Sequence, residues 1–191
     1  MKVRDSGMPE QSYWDTLFDV EGVLNGLGVD ATVRDAVELG CGYGTFTIPV
    51  AERISGTLYA FDIEPAMIAA TQARLKYSNK ANVEVRCRDA IAHGFGMAPA
   101  SVDAVLLFNI LHLENPIELL ELSAKLLTPG GRVLAIHWRS DIPTPRGPDL
   151  SIRPTPQQIN DWAAETGLLV PDSAPRMLPP WHVGLILQSR R

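Results

Sequence analysis

The sequence predicts an α/β fold in three layers, a mostly parallel sheet with helices on both faces. Three features carry that expectation. From residue 36 onward, short strand-like apolar runs alternate with amphipathic helical patterns. Gly40, Gly42 and Gly44 follow directly on the first run, where a ligand-binding turn begins. The tail then changes to extended runs close together, which close the sheet with an antiparallel pair. Strands alternating with helices build parallel sheets, because the crossover helices cover both faces.

The elements follow in chain order. Residues 1–10 read as a loose leader. Tyr13, Trp14, Leu17, Phe18, Val20, Val23, Leu24 and Leu27 recur at helical spacing and predict one amphipathic helix, expected to cover a cleft within the 1–30 region. Strands are expected at Ala36–Leu39, Thr57–Phe61, Val83–Cys87, Val102–Phe108 and Arg132–Trp138, and helices at Thr45–Ile54, Pro65–Tyr77 and Pro116–Leu127. Pro65 and Pro116 suit first-turn positions, and Pro129-Gly130-Gly131 ends the helix before it. A helix near Pro156–Thr166 precedes extended runs at Arg176–Leu178 and Val183–Gln188, joined through Pro179-Pro180. Five prolines between Ser140 and Pro156 deny that region a regular helix. Arg132, Arg139, Arg146 and Arg153 fall seven apart there, but the prolines forbid one helical face. An ordered, arginine-bearing loop at 139–156 beyond the fifth strand is the expectation, near an acceptor site.

Length and composition bound the function. At 191 residues and 46% hydrophobic, the chain is expected to form a single domain over 1–191. Asp and Glu number 22 against 17 Lys and Arg, for a net charge of -5, which argues against a nucleic-acid partner held mainly through phosphates. Cys41 and Cys87 are far apart and lack metal-ligand spacing, so neither a disulfide framework nor a zinc site is expected. His93, His112 and Glu114 repeat no known ligand spacing, and no metal is expected. No apolar run approaches the roughly 20 residues of a membrane span. A soluble cytoplasmic protein, monomer or homodimer, without membrane contact, is the simplest reading.

The stretch AVELGCGYGT raises the functional question, because Glu38 lies two residues before the first glycine. In a doubly wound sheet this turn lies at the ligand crevice. A dinucleotide fingerprint reads GxGxxG and sets a pyrophosphate at a helix N-terminus, whereas the spacing here is GxGxG. The Glu38 carboxylate would repel a pyrophosphate and attract a cation. S-adenosylmethionine carries a sulfonium and an amino group and no phosphate. Glu38 therefore favours it over NAD and over a nicotinamide-dependent oxidoreductase, with backbone N–H groups of the turn available to the ligand's carboxylate. Asp62 ends the second strand, where a carboxylate can accept from both ribose hydroxyls or else cap the helix at Pro65. Asp89, in Cys87-Arg88-Asp89-Ala90, is placed to accept from the adenine amino group or to cap, and Asn109 ends the fourth strand.

Here the sequence resembles the class I S-adenosylmethionine-dependent methyltransferases. Val37–Ala51, Leu58–Met67, Val83–Ala90, Val102–Leu113 and Leu126–Ile136 are similar to the successive motifs of that family, in order, with VELGCGYGTFTIPVA the most specific and LLTPGGRVLAI a familiar ending. The resemblance implies a Rossmann-like sheet of seven strands, the last antiparallel. It implies that Glu38, Gly40 and Gly42 hold the methionine end, Asp62 the ribose, and Asp89 with Ala90 the adenine. Cys41, Gly44, Ile63 and Asn109 complete the expected cofactor set, with S-adenosylhomocysteine the product.

Methyl transfer is an in-line displacement at an activated carbon, so alignment and exclusion of water carry much of the catalysis, and a base is needed only when the nucleophile must lose a proton. His112, His137 and Tyr13 are the candidates for that work. Trp14, Trp138, Arg139 and Arg146, with Asp141 and Arg153, are candidates for acceptor contact, the arginines for an acidic acceptor. Asn109-Ile110-Leu111-His112 lacks the proline turn of enzymes that methylate exocyclic amines of bases, so a small-molecule acceptor is expected. The alternatives are a protein or nucleic-acid methyltransferase on the same fold, and a relative that binds the cofactor without catalysis.

Overall fold

The structure, a computed structural model, describes residues 8–78 and 81–191. Most of the expected leader falls at 1–7 and lies outside the described residues. The chain then runs through α1 (Gln11–Asp15), α2 (Val20–Leu27), β1 (Ala36–Leu39), α3 (Thr47–Arg53), β2 (Leu58–Asp62), α4 (Pro65–Leu75), β3 (Val83–Cys87), α5 (Ala90–His93), β4 (Val102–Phe108), α6 (Pro116–Leu126) and β5 (Leu127–Trp138). A 3-10 turn at Leu150–Ile152, α7 (Pro156–Glu165), β6 (Leu169–Pro171), β7 (Arg176–Leu178) and β8 (His182–Ser189) complete it.

The sheet order is β3-β2-β1-β4-β5-β8-β6, with β7 also paired to β8. Strands β1 to β5 are mutually parallel, whereas β8 runs antiparallel to β5, β6 and β7. The chain winds outward from β1 to β3, then crosses back to place β4 on the other side of β1. The strand order therefore reverses between β1 and β4, and the crevice at their C-terminal ends is where such sheets bind ligands. Seven strands lie on the main path, and the three-residue β7 makes an eighth. β7 and β8 are the expected closing pair. β6 was not expected: three residues at the sheet edge are too short to register as a periodic run.

Alternation along the strands sends side chains to two cores. On one face Val37, Leu39, Val105, Leu107, Val133 and Ala135 pack with Leu119, Leu120 and Ala124 of α6 and Ile159 and Ala163 of α7. On the other, Ala104, Leu106, Leu134 and Ile136 pack with Val23, Leu24 and Leu27 of α2 and Val50 and Ala51 of α3. This period of two, buried on both faces, explains why β1 and most of β4 are buried throughout.

The single N-terminal helix expected over 13–27 is instead two. Thr16 ends α1, its hydroxyl donating to Tyr13 O at 2.7 Å, and Asp19 starts α2 by accepting from Gly22 N at 3.0 Å. An aspartate at N-cap satisfies an orphan N–H of the first turn, and that competes with continuing one helix. Helix α6 ends ahead of Pro129 as expected, while β5 starts at once at Leu127 and takes Pro129-Gly130-Gly131 into its extended beginning. Among the described residues, no helix is long and apolar enough to cross a membrane.

Candidate functional site

A cavity of about 230 Å³ opens at the C-terminal ends of β1, β2 and β4. Its floor is the glycine turn. Gly40, Gly42 and Gly44 have φ of 81°, 55° and 77°, the left-handed region that L side chains avoid. Gly40 and Gly42 line the cavity. Gly44 does not: it packs the turn onto α4, where an added Cβ would meet Thr71 Oγ1 at 3.3 Å.

Four N–H groups of this turn, those of Gly40, Cys41, Gly42 and Gly44, are committed within the protein. Gly40 N and Cys41 N both donate to Phe61 O, at 2.8 and 2.9 Å, and Gly44 N donates to Cys41 O at 2.8 Å. Gly42 N donates to Asp62 Oδ2 at 3.0 Å. Those four N–H groups are therefore not spare. At Gly40 and Gly42 the turn presents bare backbone to the cavity, with no Cβ in between.

Asp62 ends β2 and accepts from Gly42 N through one oxygen and from Glu64 N through the other, at 3.0 and 2.9 Å. It makes no cap to α4, whose N-cap is Glu64. Burial pushes the Asp62 carboxyl up, opposed by the N–H groups of Glu64 and Gly42. Glu38 lies in the middle of β1, 2% exposed, and its Oε2 accepts from Thr47 Oγ1 at 2.6 Å. Desolvation carries its carboxyl up to about 8, with Asp62 adding repulsion and Thr47 opposing, so Glu38 is mostly protonated at neutral pH. Asp89 is the N-cap of α5, accepting from Ile91 N and Ala92 N at 3.1 and 2.9 Å, and it also lines the cavity.

Cys41, Ile63 and Ala90 line the same cavity. Burial, and then the nearby Glu38, push the Cys41 thiol far above its usual range; it stays a thiol packed on Ala60 and Ile68, not a nucleophile. Asn109, just past β4, holds a left-handed φ of 56°. Its Nδ2 lies 3.3 Å from His182 Nε2, and its buried Oδ1 has no partner among the described residues. A left-handed backbone and a buried acceptor without a partner are each costly, and both fall at the cleft.

The candidates for catalysis and acceptor contact divide. Trp14 and His112 line the cavity, whereas Tyr13, His137, Trp138, Arg139 and Arg146 do not. His137 is fully buried, and burial holds its imidazolium down at about 3. Trp138 is core, packed edge-on to Trp14 and tilted against Phe18 and His182. Arg139 forms an ion pair with Asp141 at 2.6 Å, and the Arg146 guanidinium lies 5.8 Å from the Tyr13 ring. Arg153 is buried and turned inward, donating to Pro148 O, Arg139 O and Arg146 O at 2.8, 3.0 and 3.3 Å. It organises the proline-rich loop and leaves no guanidinium for an acceptor.

Helix α1 is tied to the cavity rim. Asp15 accepts from Thr45 Oγ1 at 2.7 Å and pairs with Arg74 of α4 at 3.1 Å, and Tyr43 OH donates to Pro9 O at 2.9 Å. These links hold Met8, Trp14 and Phe18 on the cavity wall. Phe18, Phe46, Phe108, Ile110 and Met67 also line it and were not expected there. As apolar residues in or beside periodic elements, they read as core. Only Phe108 and Ile110 carried a positional signal, flanking the end of β4. Among the described residues, no group of three or more His, Cys, Asp or Glu side chains is placed to hold a metal.

Comparison with known proteins adds the family. The methyltransferase domain family matches residues 36–131, from the start of β1 into β5. An uncharacterized 37.1 kDa protein in transposon TN4556 of Streptomyces fradiae is 27% identical over 177 residues, covering 88% of this chain and 51% of that protein. The chain thus spans about half the length of the curated relative it matches. A SAM-dependent methyltransferase from Aquifex aeolicus superposes with a TM-score of 0.81 at 18% identity, over 94% of each chain. The N-methyltransferase NodS from Bradyrhizobium japonicum, solved with S-adenosyl-l-homocysteine, gives 0.69 at 17% identity, covering 97% of this chain and 90% of that one. At these identities the structural likeness speaks for the fold.

Proposed function

The chain belongs to the methyltransferase domain family, and from that premise we propose that it binds S-adenosylmethionine at the ends of β1, β2 and β4 and transfers its methyl group to a small-molecule acceptor. When bound, the cofactor supplies a methyl already activated on a sulfonium. The observation that carries the reading is the pair of acidic side chains, Glu38 and Asp62, lining the cavity. A dinucleotide site aims positive dipole at phosphate, whereas here two acids stand beside the turn and the N–H groups of Gly40, Cys41, Gly42 and Gly44 are spent internally.

The residues present fit that ligand. Asn109 Oδ1 is a buried acceptor awaiting a donor, and Glu38 becomes a carboxylate when a cation lies against it. The bare backbone at Gly40 and Gly42 admits the methionine end closely, Asp62 holds the ribose, and Asp89 with Ile63 and Ala90 receives the adenine. Cys41 only fills the turn, and Gly44 supports it from beneath. Helix α1, within the 1–30 segment, covers the cleft and excludes water, with Trp14 against the acceptor. The 139–156 loop reaches α1 through Arg146, whose guanidinium lies 5.8 Å from the Tyr13 ring.

A small acceptor is favoured by the apolar wall of Trp14, Phe18, Phe46 and Phe108 under α1. A macromolecular substrate would need an open, basic cleft mouth. Among the described residues Arg88 is the one arginine or lysine lining the cavity, and it is spent on His93 O and Gly94 O. Thermal unfolding with S-adenosylmethionine, S-adenosylhomocysteine or NAD tests the reading. The adenosyl ligands at ~100 times their dissociation constant add about 2.7 kcal/mol, a rise of several degrees. A rise with NAD alone overturns it.

A further inference from the structure

We infer that Met8 is an autoinhibitory contact: its thioether lies over the bare backbone of Gly42, in the place the methionine end of the cofactor takes, and the cofactor turns it out on binding. The inference rests on the methyl-transfer reading and adds to it a competitor built into the chain.

Met8 lines the cavity and is 38% exposed. A Cβ added at Gly42 would stand 3.3 Å from Met8 Cε and 3.9 Å from its Sδ. Non-bonded carbons rest about 3.5–4.0 Å apart. The Met8 methyl therefore fills the approach that the missing Cβ opens. Gly42 is held at a φ of 55° with its N–H on Asp62 Oδ2, so the turn does not recede from the contact. The chain after Met8 is held as well. Pro9 O accepts from Tyr43 OH at 2.9 Å, and Asp15 accepts from Thr45 Oγ1 at 2.7 Å and pairs with Arg74 at 3.1 Å. Tyr43 and Thr45 follow Gly42 in the same turn, so the segment from Pro9 to Asp15 is clamped to the loop it obstructs.

The two occupants of this place differ in charge. The Met8 thioether is neutral, whereas the methionine end of the cofactor carries a sulfonium and an ammonium. Glu38 and Asp62 line the same cavity and gain nothing from a neutral thioether. A cation gains from both. Met8 thus covers the turn in the empty site and yields to a charged ligand. Yielding takes only rotation of an unbranched, flexible side chain, and the bond between Tyr43 and Pro9 stays closed.

The test is calorimetric titration of the full chain and of Met8→Ala with S-adenosylmethionine, S-adenosylhomocysteine and adenosine. Met8→Ala should bind the first two about tenfold more tightly, a difference of about 1.4 kcal/mol. Adenosine lacks the methionine end, and its affinity should not change. Met8→Leu keeps the bulk and should bind all three like the wild type. Unchanged binding of the first two by Met8→Ala overturns the inference, and so does weaker binding, which would make Met8 part of the bound site. Adenosine tightening to the same extent overturns it too, because the effect would then lie away from Gly42. A second measurement needs no change in affinity. With methionine methyls carbon-13 labelled, the Met8 resonance is the one lost in Met8→Ala. It should show a nuclear Overhauser contact to the Gly42 Hα protons that disappears on saturation with S-adenosylhomocysteine. A contact missing before ligand, or persisting after it, overturns the inference. Equal binding to wild type and Met8→Ala sinks this inference alone, whereas no binding of either adenosyl ligand to either protein sinks the methyl-transfer reading and the inference with it.

Discussion

Replacing Glu38 by Gln should make the fold gain on the wild type as pH rises. Glu38 is buried within β1 with Thr47 Oγ1 as its hydrogen-bond donor, and desolvation carries its carboxyl from 4.5 to about 8. The folded value lies above the unfolded one, so between pH 4.5 and 8 the native state holds the extra proton. Stability therefore falls as pH rises through that window, by up to about 1.4 kcal/mol per pH unit. The amide of the Glu38→Gln variant has no proton to lose there. Between pH 5 and 7 the difference between wild type and variant should move by roughly 3 kcal/mol in the variant's favour. Urea unfolding at pH 5, 6 and 7 reads this directly, and the comparison cancels the titrating groups that do not interact with Glu38. Parallel curves would refute the raised carboxyl. The same group should couple to ligand. A cation seated against Glu38 stabilises its carboxylate, so binding of S-adenosylmethionine at pH 7 should release up to one proton. Calorimetry in two buffers of different ionisation enthalpy would detect that release in the wild type and not in Glu38→Gln.

Three further outcomes are expected. His137 and His182 are buried with imidazolium values held down at about 3, chiefly by desolvation. Their folded values lie below 6.5, so each withdraws up to about 1.4 kcal/mol per pH unit as pH falls beneath it; thermal melts from pH 7 to 5 should show His182→Gln losing less than the wild type, and equal losses would contradict this. Gly44→Ala places a Cβ at positive φ and 3.3 Å from Thr71 Oγ1, costing at least about 1–2 kcal/mol in urea unfolding, and no cost would mean the turn is not held as described. Arg153→Ala removes three bonds from a charged donor to loop carbonyls, each worth about 1.5–3 kcal/mol. Limited proteolysis should then cut within residues 140–150 while S-adenosylhomocysteine still binds; an uncut loop would show that Arg153 does not organise it.

The parts of this fold legible in the sequence are those set by local physics. Alternating apolar runs, the prolines opening α4 and α6, and the glycines after β1 each dictate a backbone outcome within a few residues. The crevice follows, because Asp62, Asp89 and Asn109 fall at strand ends whatever the packing. The remaining features depend on partners distant in sequence. Asp19 reads as the polar face of one continuous helix until its side chain is seen to accept from Gly22 N. Arg153 reads as a candidate contact for an acidic acceptor, and only the carbonyls gathered by the 139–148 segment turn it inward. Trp138 and His137 adjoin a strand end yet face inward, where β8 and the aromatic cluster around His182 cover them. Phe18 and Phe46 line a cavity with side chains that pattern alone assigns to core.

The central claim is that the cavity between β1, β2 and β4 is an S-adenosylmethionine site. Calorimetric titration of S-adenosylhomocysteine into the wild type and Asp62→Ala tests it most directly, with circular dichroism confirming that the variant is folded. The account predicts a single saturable site in the wild type and binding at least about tenfold weaker in the variant, a difference of about 1.4 kcal/mol. No heat with the wild type, or equal affinity in a folded variant, would contradict it.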